Sequence, residues 1–183
     1  MKLDSQKLIA ELTAETNAII AFAESLKQLS PEQLNKRQSS ESWSALECLQ
    51  HLNLYGIFYL PEIKKQLNPR KGETSNQYYK TGWLGNYFAN SMKPKANLNK
   101  MKTFQEMNPI HSQLDNTVID AFLSQQKEMV SLLEHAKLVH LGKRRTSISI
   151  SKLIKLKLGD TFRFVIYHNM RHVEQAKRVL GGV

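Results

Sequence analysis

The chain has 183 residues, of which 41% are apolar and 23% charged, with a formal net charge of +10. That length suits one domain (1–183) with its own buried core, and the composition is that of an ordinary globular chain, not of a disordered one. No apolar run approaches the roughly 18 residues a membrane helix needs, and the polar start MKLDSQKLIAEL lacks a signal-peptide core, so the expectation is a cytoplasmic protein with no membrane contact.

A single cysteine, Cys48, excludes an internal disulfide and any zinc site built from several thiolates. In an apolar helical stretch it reads as a small core residue. The positive charge is local: residues 64–102 carry nine basic side chains against Glu73 alone, and residues 137–157 carry seven with no acid. Such patches could hold phosphates or an anionic cofactor. Nucleic acid is nevertheless disfavoured as a partner, because no recognised motif or interleaving of aromatic residues accompanies them.

From Asp4 to Leu29, the residues Leu8, Ile9, Leu12, Ile19, Ile20, Ala23 and Leu26 recur at helical spacing, and Ser30-Pro31 closes this first helix. A polar connection follows. Ser44 and Glu47 have the spacing of a capping box, so a second helix starts at Ser44 and runs to about Leu67, with Pro61 a potential kink. Residues 70–111 contain scattered Gly and Pro and read as a long connection with a short helix over Trp83–Asn90. A third helix is predicted over Asp115–Leu138 and a brief extended piece over Thr146–Ser151. Gly159-Asp160 offers a turn and an N-cap for a last helix that Gly181-Gly182 stops. Four long helices and one crossover between the second and third predict an all-α four-helix bundle.

His168 and His172 lie one turn apart on the stripe of Val165, Ala176 and Val179, which turns both imidazoles inward. His51 on the second helix can also point inward, so three imidazoles from two helices could converge. Spacing alone leaves two readings open, a shared metal ion or separately satisfied core histidines. Burying several polar rings without partners costs about 1–3 kcal/mol each, which favours an ion that satisfies them together. His111, His135 and His140 lie in or beside loops or among surface charges and read as nonfunctional.

The order WSALECLQHL over 43–52, followed by HNMRHVEQ over 168–175, resembles the DinB-like superfamily of bacterial four-helix-bundle metalloenzymes. In that family a helix opening Trp-Ser-x-x-Glu carries one histidine and the last helix carries His-x-x-x-His. The resemblance spans essentially the whole chain and includes the start Leu158-Gly159-Asp160. It implies His51, His168 and His172 as ligands of a divalent transition metal, nickel or zinc, and low-molecular-weight thiols as cosubstrates of characterised relatives.

A neutral three-imidazole face leaves a coordination position open, and its undiminished positive charge favours hydroxide or thiolate. The expected activity is attack of an activated thiol, or water, on an electrophilic small molecule approached beneath the long connection, as a thiol S-transferase or a hydrolase. Lys93, Lys95, Lys100 and Lys102 could receive carboxylates of such a thiol. The alternatives are a noncatalytic metal- or ligand-binding stress-response protein and, ranked last, a nucleic-acid binder. Glu47 is expected either to cap its helix and pair with Arg171 or to act as a general base. Tyr55 and Gln175 are candidate partners of the ligands, and pairing through helix faces would give a homodimer.

Overall fold

The computed structural model describes residues 1–68, 74–94 and 102–181. In chain order the elements are strand β1 (Lys2–Asp4), helix α1 (Ser5–Ser25), short helix α2 (Pro31–Asn35), helix α3 (Ala45–Lys64) and strand β2 (Tyr78–Lys80). Helices α4 (Trp83–Met92) and α5 (Thr117–Ala136), strands β3 (Arg145–Ile148) and β4 (Ser151–Lys157), and helix α6 (Leu158–Val179) complete them. The chain is predominantly helical, as the hydrophobic spacing predicts. α1 packs against α5 and α6, and α3 packs against the same two helices. No helix among the described residues is long and apolar enough to cross a membrane.

Local chemistry explains the boundaries. Asp4 caps α1 by accepting from the Lys7 N–H at 2.9 Å. α3 opens on the expected capping box, with Ser44 Oγ accepting from Glu47 N at 3.2 Å and Glu47 Oε2 accepting from Ser44 N at 2.8 Å. Pro61 does not end α3, which continues to Lys64. At the other end of the chain Gly181 takes the left-handed conformation, φ 85°, that a helix stop favours; Gly182 lies outside the described residues.

The start of α6 departs from expectation. Gly159 and Asp160 lie inside its first turn, and Lys157 occupies the cap position without a side-chain cap bond. β4 runs straight into the helix, and the first N–H groups find main-chain acceptors, Leu158 N on Arg144 O at 2.9 Å and Gly159 N on Leu141 O at 3.2 Å. No cap is needed there. Asp160 instead reaches sideways, accepting from Gly82 N at 2.7 Å and pairing with Arg163 at 3.3 Å. Arg163 in turn donates to Asn86 and Asn90 of α4, each at 3.1 Å, so this fully buried carboxylate straps the connection to α6.

The predicted extended piece is the hairpin β3–β4, antiparallel with a register irregularity at Ser147/Ile148. Its reversal falls within the alternating serines, which is why the period blurs there. A second small antiparallel pair joins β1 to β2. Part of the basic character of these segments is structural: Arg144 is buried and donates to Asn68 O at 3.0 Å, and Lys157 Nζ donates to Lys80 O at 2.6 Å.

Gly85 faces the Asp160 strap so closely that a Cβ there would sit 2.6 Å from the Asp160 side chain. Gly85→Ala is therefore expected to lower stability by about 1–3 kcal/mol through overpacking. An unchanged urea midpoint would contradict this account of the strap.

Candidate metal centre

His51 lies one turn beyond Glu47 on α3, and His168 and His172 lie one turn apart on α6. The α3–α6 contact brings all three together, with ring centroids 5.0 Å (His51–His168), 4.6 Å (His51–His172) and 4.7 Å (His168–His172) apart. One nitrogen from each falls within 4.8 Å of the others. The rings are 2%, 5% and 9% exposed, in the order His51, His168, His172, so any charge on them would be poorly solvated.

Two of the outer nitrogens are held by oxygen. His51 Nδ1 lies 2.6 Å from the Met107 carbonyl, and His172 Nδ1 lies 2.9 Å from Gln175 Oε1. A carbonyl oxygen can only accept, so both Nδ1 atoms carry the proton, and a neutral ring then presents a bare Nε2. His51 Nε2 faces His168 Nε2 at 3.2 Å. That contact is satisfied either by a proton on His168 or by a cation shared between two lone pairs. Metal–nitrogen bonds of about 2.0–2.1 Å in a tetrahedral site put ligand nitrogens about 3.3 Å apart, close to the observed contact.

Burial keeps the rings neutral. It pushes His51 down to about 4, partly opposed by the Met107 carbonyl. Burial, followed by the neighbouring His51, lowers His172 to about 3. Burial, then His172 and His51, drives His168 well below the ordinary histidine value. The donor set is thus three neutral imidazoles, and among the described residues no carboxylate joins the cluster. This chemistry fits a divalent transition ion.

Aromatic residues wall the site. Trp43 lies 4.7 Å from His51 and 5.5 Å from His172, and its Nε1 donates to Asn108 Oδ1 at 3.1 Å. Tyr55 lies 4.9 Å from His51 and 4.6 Å from His168, and Phe164 stacks on His168 at 5.9 Å. Burial raises the Tyr55 phenol to about 12, so it keeps its proton at neutral pH. Cys48 is fully buried against Ala45 and Ala176, with its thiol pushed up by burial, in the core role expected of it.

Glu47 pairs with Arg37, not with Arg171. Arg37 donates to it from Nε at 2.9 Å and Nη2 at 2.6 Å, and the His111 N–H donates at 2.6 Å. With Ser44 N, four N–H groups fill both oxygens, so Glu47 is committed to structure and poorly placed as a general base. Burial raises its pKa, but Arg37, Ser44 N and His111 N outweigh that and the carboxyl sits below its usual range. Arg37, Met107, Asn108 and the main chain of His111 leave no signal in the sequence, because they lie in the segments that connect the long helices.

The other histidines lie outside the cluster. His135 Nδ1 bonds Ser131 O at 2.8 Å, and His140 Nδ1 accepts from Gly142 N and Lys143 N in a turn. Of the lysines considered for a cofactor, Lys93 lies over the Tyr167 ring at 5.7 Å and Lys102 is exposed, while Lys95 and Lys100 lie outside the described residues.

The depressed pKa of Glu47 fixes the sign of a pH effect. Its contribution is complete above the ordinary value near 4.5 and is lost as pH falls through the lower folded value. Glu47→Gln is expected to cost about 1–3 kcal/mol at pH 7 and to flatten that acid limb. Urea midpoints between pH 3 and 7 with the same pH dependence in both proteins would contradict this.

No curated protein and no solved structure matches the chain. The family model described as the DinB superfamily matches residues 11–176, a span that contains the capping box of α3 and all three clustered histidines. The chain belongs to the DinB superfamily.

Proposed function

We propose that His51, His168 and His172 hold a divalent transition ion, nickel or zinc, and that the protein is an enzyme in which a small thiol, or water, attacks an electrophilic small molecule. The observation that carries this reading is the convergence of three neutral, buried imidazoles, two of them with the outer nitrogen hydrogen-bonded to an oxygen. An ion bound there supplies Lewis acidity and lowers the pKa of a thiol or water at an open position.

The chain's own residues do the rest. Met107 O and Gln175 orient two of the ligands. Trp43 and Phe164 limit water around the rings, which strengthens electrostatic interactions inside the site. Tyr55 Oη, protonated at neutral pH, is a hydrogen-bond donor on the wall formed with His51 and His168. One buried thiol fits a reducing cytoplasm.

A second reading, a noncatalytic metal-binding protein, is favoured by the same burial, since rings only 2–9% exposed offer a substrate little open surface. Metal analysis of untagged protein tests the site: stoichiometric metal in the wild type should be lost in His51→Ala and His172→Ala, and full retention in both variants would remove the assignment. Turnover of an electrophile panel with metal and candidate thiols separates the two readings. Thiol consumption supports the enzyme, and none across the panel favours the binding protein.

A further inference from the structure

We propose that Gln175 is the positioning residue of the metal centre: it fixes His172 as an Nε2 ligand and, being neutral, leaves the positive charge of the ion available to an anionic partner. This rests on the metal reading above and adds to it a determinant of affinity and ligand preference.

His172 is the least buried of the three rings, at 9% exposed, and so depends most on a specific hold. Trp43 lies against the ring at 5.5 Å, and Gln175 bonds it at 2.9 Å from the next turn of the same helix. Neighbouring Glu174 is engaged elsewhere, paired with Lys177 at 2.7 Å, and is not the acceptor. The orientation of the Gln175 amide decides what His172 can do. With Oε1 on Nδ1, the ring proton sits on Nδ1 and Nε2 is free to ligate. With the amide reversed, its NH2 would donate to Nδ1, the ring proton would move to Nε2, and Nε2 could not serve as a ligand atom.

His51 receives the equivalent hold from the Met107 main-chain carbonyl, which no side-chain substitution removes. Gln175 therefore offers a handle on the orientation of the ligand set. The residue type matters as well as its reach. Metal-ligating histidines are often backed by carboxylates, which make the ring more basic and lower the net charge of the complex. A glutamine keeps the orientation without adding negative charge. The three imidazoles and both outer acceptors on this side are neutral, so the centre retains the full charge of the ion and prefers a small anion or thiolate as its next ligand.

The test compares untagged wild type, Gln175→Leu and Gln175→Glu by competition for cobalt(II) against a chromophoric chelator, followed by azide titration of the visible bands of the cobalt-loaded proteins. Gln175→Leu should weaken cobalt affinity about 10–100-fold, the range for lost outer partners. Gln175→Glu should restore wild-type affinity or exceed it, while binding azide more weakly. Wild-type affinity in Gln175→Leu, or a loss in Gln175→Glu as large as in Gln175→Leu, overturns the positioning role, and equal azide affinity in wild type and Gln175→Glu overturns the charge argument. Failure of the wild type to bind cobalt would be a different result, sinking the metal reading itself. Matching melting temperatures of the three metal-free proteins assign any affinity change to the site and not to folding.

Discussion

Glu47 has no exposed surface, so its charge is met by protein donors, and they come from three separate parts of the chain: the start of α3, Arg37 and the main chain of His111. Removing this carboxylate would leave its N–H donors without their acceptor, at a cost of about 1–3 kcal/mol. That constraint ties the segment through His111 to the first turn of α3. The same segment carries Met107, whose carbonyl orients His51, and Asn108, which receives the Trp43 N–H. The geometry of the histidine cluster therefore depends on a carboxylate that touches none of the rings.

A second buried carboxylate works at the other end of α6. Asp160 precedes His172 by twelve residues, about 18 Å along the helix, and binds the connection through Gly82 and, with Arg163, through α4. The two acids respond to burial differently. Four N–H donors carry Glu47 below its usual range, whereas for Asp160 burial wins over Gly82, Arg163 and Lys157 and its pKa rises. Glu47 is thus the better-satisfied charge, next to the site, while Asp160 serves packing at a distance. Between them, α3 and α6 are held so that inward-facing rings meet in a volume too dry to charge them.

Helical periodicity made the ligand triad legible, because one-turn spacing projects His168 and His172 onto one stripe and His51 follows a capping box readable from two residues. What stayed hidden was whatever depends on loops returning to the bundle. Arg37 meets Glu47 across ten positions, but His111 does so across 64, and Met107 reaches His51 across 56. Main-chain donors and acceptors leave no mark in residue identity. Arg171 adjoins a ligand of α6 in sequence and so offers itself as a partner for Glu47, yet Arg37 and His111 N fill that carboxylate, and adjacency on a helix sends neighbouring side chains to different faces. Asp160 fitted the local rule for an N-cap, and the rule failed because β4 hands its main chain directly to the helix.

The claim that binds these features together is a cation held by three neutral imidazoles with room for a further ligand. X-ray absorption at the metal edge of the loaded wild-type protein tests it most directly. The account predicts three imidazole nitrogens at about 2.0–2.1 Å with at least one additional light-atom ligand. A first shell containing sulfur from Cys48, or one of oxygen atoms without imidazole scattering, would contradict it.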